Sequence, residues 1–189
     1  VLMGTTAGHI LREASLPVAI APRGFHDAPG RLRRIGVAFD GSNEAGIALE
    51  WASAVARPVA AEIRLLAVVA PPPPPVETWG GSVPGEAWTD GLAFAESSQL
   101  AETLRDGMDH RLEAARRSIG QPDAELVTVV GNPLHELRSA AEDVDLLVVG
   151  SHGDGAFSRL LAGSVSHGLA QSCPAPLVVV RDRSAPSSS

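Results

Sequence analysis

Gly150-Ser151-His152-Gly153 and, after nine intervening residues, Gly163-Ser164 give the spacing G-x2-G-x9-G-S, and a run from Val144 to Val149 leads directly into it. Glycine at such positions lets the backbone take positive φ and lets a ligand come close to main-chain N–H groups. The first turn of a following helix adds unpaired N–H donors and positive dipole potential. A strand, spaced glycines and a helix start, in that order, suit the holding of phosphate. A second candidate lies far upstream, where Asp40 closes the apolar run Ile35-Gly36-Val37-Ala38-Phe39 and Gly41-Ser42 follows. Alone, Asp-Gly behind a strand is a turn; facing a phosphate loop across a crevice, Asp40 reads as a ligand-binding acid.

The polar residues around the glycines leave alternatives open. His152 is either a ribose contact or a surface-loop histidine. Arg159, the only basic group in the nine-residue loop, either neutralises phosphate or faces outward. The Ser164 hydroxyl either caps its own helix or meets a phosphate oxygen. His135 and Glu136, behind the turn Gly131-Asn132-Pro133, read as helix-start residues rather than catalysts.

Composition closes several chemistries. All 15 basic residues are arginine. Without lysine there is no Walker-type loop and no Schiff-base amine, so phosphate must be held by backbone, hydroxyls, arginine or metal. With 22 acidic residues the net charge is −7, and no arginine stripe interleaved with aromatics appears, so nucleic acid is not an expected partner. Cys173 is the single cysteine and stands before Pro174, where a small buried hydrophobe is the favoured reading over a reactive thiol. The opening Val1-Leu2-Met3-Gly4 lacks the charged and apolar regions of a leader peptide, and no apolar run approaches about 18 residues. The expectation is a soluble, cytoplasmic protein in a reducing compartment, with no membrane partner.

The elements that must position these residues alternate along the chain. A strand over Ile35–Phe39 is followed by a helix capped by Ser42 or Asn43, with Ile47, Ala48, Trp51, Ala54 and Val55 at helical spacing up to Pro58. A strand over Ile63–Val69 comes next. Ala70 to about Phe94, with six prolines, four glycines, Trp79 and Trp88, is read as irregular; the tryptophans form either a flap over a site or, the favoured reading, loop packing. From Ala95 to Ile119, Leu100, Leu104, Met108, Leu112, Ala115 and Ile119 mark a long amphipathic helix whose apolar residues are expected in the core, with Arg111, Arg116 and Arg117 on a solvated face. Then follow a strand over Ala124–Val130, a helix over Leu134–Ala141, a strand over Asp145–Val149, the glycine loop, a helix over Ser164–Ser172 and a strand over Pro176–Val180. Continuously apolar strands alternating with helices predict a parallel, doubly wound α/β sheet covered on both faces, with ligands at the carboxyl ends of its strands where strand order reverses.

The chain also repeats itself. Gly4-Thr5-Thr6 resembles Gly163-Ser164-Val165, and Leu16-Pro17-Val18-Ala19-Ile20-Ala21 resembles Ala175-Pro176-Leu177-Val178-Val179-Val180, both at an offset of 159 residues. Residues 1–30 are therefore expected to be the last helix (Thr5–Ala14) and last strand (Val18–Ala21) of a preceding repeat plus a linker. The complete domain spans 31–183, and 184–189 is a Ser/Pro tail expected to be disordered.

A first strand ending Asp40-Gly41-Ser42, the G-x2-G-x9-G-S spacing, and a last strand behind Cys173-Pro174-Ala175-Pro176 together resemble the universal stress protein family, over about residues 34–181. The resemblance implies a Rossmann-like sheet of five parallel strands in the order 3-2-1-4-5, and, for members with the complete glycine motif, ATP binding, alone or with Mg2+. It implies that Asp40 fixes the adenosine with Ala38 and Phe39 beside it, and that the Val68 backbone meets the adenine edge. Val149, Gly150, Ser151 and Gly153 then line the ribose and phosphate side, with Arg159 in the loop, while Gly163, Ser164 and Val165 hold the terminal phosphates. It further implies pairing of last strands across a two-fold axis: a homodimer through residues 177–180, or pairing of that edge within the chain with residues 18–21. The expected function is an ATP-binding regulatory or stress-response module with no catalytic or metal-binding residues of its own. The alternatives are a slow ATP hydrolase or adenylyl-transfer enzyme of the same fold, and a dimerisation module that binds nothing. The truncated first copy and the long proline-rich connection depart from the family pattern and bear on assembly and on access to the pocket.

Overall fold

A computed structural model describes residues 14, 16–22, 25, 30–70, 89–151 and 164–181, with the backbone alone for 89–98 and 164. Six strands form one sheet: β1 (Val18–Ile20), β2 (Arg34–Ala38), β3 (Glu62–Val69), β4 (Glu125–Val130), β5 (Leu146–Gly150) and β6 (Leu177–Val180), in the order β1-β6-β5-β2-β3-β4. β2 to β6 are mutually parallel. Numbered from β2, those five strands have the expected order 3-2-1-4-5. The expectation of five strands is corrected by β1, which adds antiparallel to β6 with Val18 opposite Val179 and Ile20 opposite Leu177. Of the two arrangements expected for this edge, the structure has the intrachain one. The remaining calls on 1–13, 71–88, 152–163 and 182–189 lie outside the described residues.

Helices α1 (Asn43–Val59) and α2 (Thr89–Ser118) cover one face of the sheet; α3 (Pro133–Ala140) and α4 (Ser164–Ser172) cover the other. Successive strand residues point to opposite faces, so β3 divides itself between two cores. Ile63, Leu65 and Ala67 pack with Ala48, Leu49, Ala52, Leu112 and Ile119, while Leu66 and Val68 pack with Leu137, Leu147, Val149 and Leu169. Burial on both sides is why the strands are apolar without interruption. At their amino ends β2 and β5 are tied by the Asp145 carboxylate, which accepts from the N–H groups of Arg33 and Arg34 at 2.8 Å each.

Three local expectations are corrected. α1 runs through Pro58 to Val59, because a proline in the last turn costs little beyond its own missing N–H. Its end is a left-handed Ala60 at φ 52, whose N–H donates to the carbonyls of Ala56 and Arg57. Glycine avoids the Cβ crowding of that conformation, so Ala60→Gly is expected to stabilise the fold by about 0.5–1 kcal/mol after the added chain entropy of glycine, read as a rise in urea midpoint. The long helix begins at Thr89, inside the stretch expected to be irregular. Between Thr89 and Phe94 the one glycine, Gly91, disfavours a helix by about 1 kcal/mol.

Leu100 and Leu104 are not core residues: they are 47% and 45% exposed, whereas Leu112, Ala115 and Ile119 are buried. A helix of 30 residues spans about 45 Å and the eight-residue β3 beneath it about 27 Å, so the amino-terminal half of α2 overhangs the sheet. Cys173, expected to be buried, is only partly so and packs against the edge of the α3/α4 core. Burial pushes its thiol above the usual range, partly offset by a hydrogen bond at Ala175 and by the charge of Arg138.

Candidate functional site

Strand order reverses between β2 and β5, and the two chains leave the sheet there in opposite directions, β2 into α1 and β5 towards α4. The gap opens at their carboxyl ends, the place where doubly wound sheets take ligands. Asp40 stands on the β2 side. Its Oδ1 accepts from the Ser42 N–H at 2.9 Å, and Gly41 between them has φ 84. Ser42 is the N-cap of α1: its hydroxyl accepts from the Ala45 N–H at 3.1 Å, which settles the choice between Ser42 and Asn43. The turn thus ties the end of β2 to the start of α1 through side-chain oxygens.

Phe39 donates its N–H to the Leu66 carbonyl at 2.8 Å, and its ring packs on the α1/α2 core. Ala38 packs on the opposite face. Beyond Leu66, the partner of Ala38, β3 runs on without β2 beside it. The Leu66 carbonyl faces β2 and the Val69 carbonyl accepts from Gly131 on the β4 side. Backbone groups of alternate strand residues face opposite neighbours, so the N–H and C=O of Val68 face the β2 side, past the end of that strand. The Val68 side chain is buried in the α3/α4 core and takes no part.

Across the gap, Val149 is core, and Gly150 stands where a Cβ would lie 3.0 Å from the carbonyl carbon and Cβ of Glu44 and 3.1 Å from its oxygen. Glycine is therefore needed at 150 for the close approach of α1 to β5. Ser151 is buried and donates its N–H to the Val180 carbonyl at 2.8 Å. α4 begins at Ser164, as expected, and Val165 packs on the α3/α4 core. Gly153, Arg159 and Gly163 lie outside the described residues, as do His152 and the side chain of Ser164.

Two charged residues at this end were not singled out by sequence reasoning. Arg111, placed there on a solvated face, lays its guanidinium over the Gly41 turn, with Nη1 2.9 Å and Cδ 3.2 Å from where a Cβ on Gly41 would stand. Gly41 is favoured by its φ of 84, while a Cβ there would only oblige the flexible end of Arg111 to shift. Glu44, in the first turn of α1, has a carboxylate oxygen with neither exposed surface nor hydrogen-bond partner. Its one sequence signal is a position four residues after Asp40 at a helix start. A cleft of about 670 Å3 lies at the opposite pole, lined by Leu32, Val144, Leu146, Pro174 and Pro176 among others; none of the candidate residues borders it. Among the described residues no three His, Cys, Asp or Glu side chains gather into a metal site, and no helix is long and apolar enough to cross a membrane.

The architecture is that of the Rossmann-like, doubly wound α/β class, with its crevice at the switch point. The profile of the universal stress protein family matches residues 31–181, and the chain belongs to that family. Universal stress protein Rv1996 of Mycobacterium tuberculosis is 30% identical over 185 residues, covering 95% of this chain and 54% of its own length. YxiE of Bacillus subtilis is 29% identical over 148 residues, covering 77% of this chain and 96% of its own. The chain spans about half the length of the mycobacterial relatives it matches. Among solved structures, the hypothetical protein MJ0577 superimposes with a TM-score of 0.61 at 23% identity, over 82% of this chain and 100% of that one. A universal stress protein from Archaeoglobus fulgidus gives 0.59 at 21%, over 95% and 54%. At these identities the likeness is one of fold.

Proposed function

We propose that the chain binds ATP across the β3–β2–β5 strand ends and acts as a nucleotide-dependent regulatory module of a stress response, without efficient catalysis. The observation that carries this reading is the Val68 backbone facing the gap beyond the end of β2. One N–H and one C=O side by side complement the N1 acceptor and N6 donor of adenine. Asp40 stands next along the gap to meet the ribose, and Gly150 opens onto the glycine motif, whose spacing suits phosphate. A Mg2+ ion carried in with the nucleotide would draw its ligands from phosphate oxygens and water. Catalysis would need a positioned base and cation clamps at the phosphates, for which the motif supplies Asp154, His152 and Arg159 alone. We assign residues 1–30 to the end of a preceding repeat and its linker, 31–183 to the nucleotide-binding domain and 184–189 to a tail, in a cytoplasmic protein. The mycobacterial relatives of about twice the length accord with that assignment.

Native mass spectrometry and titration calorimetry of the purified chain test the reading. The expected results are a copurified or added adenine nucleotide bound one per chain, and hydrolysis slower than about 1 s⁻¹. Gly153→Trp should weaken ATP about tenfold or more, a change of at least about 1.4 kcal/mol, while the melting temperature holds. A chain that binds no adenine nucleotide removes this function, and turnover at ordinary enzyme rates replaces it with the hydrolase.

A further inference from the structure

Arg111 reaches the candidate site from α2. Its root is fixed, because Met108, one turn earlier, packs against the α1/α2 core and Leu112 beside it is fully buried. α2 packs over β3 and β4. To lie over Gly41, which follows β2, the side chain crosses from above β3 towards the turn that ends β2. There its Nη1 and Cδ come within 2.9 and 3.2 Å of the place of a Cβ on Gly41. The residue is exposed. Among the described residues the ion pairs engage Arg34, Arg64 and Arg116, and Arg111 makes neither an ion pair nor a hydrogen bond. Nothing in the fold uses its charge or its flat face.

We infer that Arg111 lays its guanidinium plane on one face of the adenine ring of the bound nucleotide. The inference rests on the nucleotide reading above. The Val68 N–H and C=O lie in the plane of the sheet and face the space past the end of β2. A ring that hydrogen-bonds to both along one edge is held close to that plane, with one face towards the α1/α2 side and the other towards the α3/α4 side. Arg111 spans this space on the α1/α2 side. A guanidinium is planar and weakly hydrated, its charge is attracted to the face of an aromatic ring, and arginines stack in this way on unpaired RNA bases. Phosphate is the other group that takes an arginine, but the glycine motif follows β5, which lies on the far side of β2 from α2.

The test is calorimetry of the full chain, Arg111→Ala and Arg111→Lys with ATP and with adenosine, alongside thermal melts without ligand. Arg111→Ala is expected to weaken ATP and adenosine by the same factor, about fivefold or more, with no loss of melting temperature. Arg111→Lys keeps the charge but not the plane and should recover only part of the loss. The dependence of ATP affinity on salt should be the same in Arg111→Ala as in the unmodified chain, and this decides the matter where adenosine binds too weakly to titrate. Loss of ATP affinity with adenosine unaffected, a salt dependence that flattens in Arg111→Ala, or full recovery by lysine assigns Arg111 to phosphate and overturns the inference. Unchanged ATP affinity in Arg111→Ala overturns it as well, and so does a fall in melting temperature that accounts for the loss, which would make Arg111 a strut of the Gly41 turn. Failure of the unmodified chain to bind any adenine nucleotide has a different signature and overturns the nucleotide reading along with it.

Discussion

Gly150→Val is expected to lower stability by about 3 kcal/mol, the upper part of the range for forced overpacking, and to abolish ATP binding. The atoms a new Cβ would strike are the carbonyl carbon, oxygen and Cβ of Glu44, backbone or rooted in backbone, at 3.0–3.1 Å. They cannot swing aside as the tip of a side chain can. α1 must therefore withdraw from β5 and carry with it the Ser42 cap and the Asp40 turn. At about 2–4 °C per kcal/mol for a chain of this size, the melting temperature should fall by about 6–12 °C. Gly46→Ala on the same helix supplies the contrast. A Cβ there meets nothing within 4 Å, so the helix keeps its seat and the fold should gain about 1 kcal/mol. A Gly150→Val chain that melted with the unmodified protein and still bound ATP would show that the close seat of α1 on β5 does not hold the site together.

Removal of residues 1–22 is expected to convert the chain to a dimer at micromolar concentration, seen as a doubled mass by light scattering after size-exclusion chromatography. β1 occupies the free edge of β6 over three residue pairs. Without it, the backbone groups along Leu177–Val180 and the apolar side chains flanking them are left as a template for another strand. The same edge of a second copy is antiparallel to the first about a two-fold axis and self-complementary. Ala19→Pro, which deletes the N–H of the central β1 residue, should move the full-length chain the same way to a smaller extent. A truncated chain that stays monomeric across the concentration range would mean that β1 is not what closes this edge.

How far the molecule was legible from its residues follows from the range of each signal. Apolar runs and helical spacing are local, and among the described residues they placed β2 to β6, α1, α3 and α4 to within one or two residues, while the start of α2 was read six residues late. The Asp40 turn and the seat of Gly150 at a strand end were legible too, since each is spelled out by adjacent residues. Misreadings arose where one element is measured against another. Leu100 and Leu104 carry the same four-residue spacing as Leu112, yet they are exposed because α2 outruns the strands under it. Arg111 has the charge pattern of a solvent face but reaches a turn 70 residues earlier in the chain.

Sequence alone determined the class of sheet, the candidate phosphate motif and the exclusion of lysine chemistry, because these depend on residue type and short periods; the strand order was what the family resemblance implied, and the structure has it. Tertiary structure decided which backbone groups are left unpaired at Val68, which oxygen of Glu44 is buried without a partner, and that β1 rather than a second copy lies along β6. Each is a relation between segments far apart in the chain. Pairing and burial at such places are set by where two elements end relative to each other, and no local pattern of residues records that.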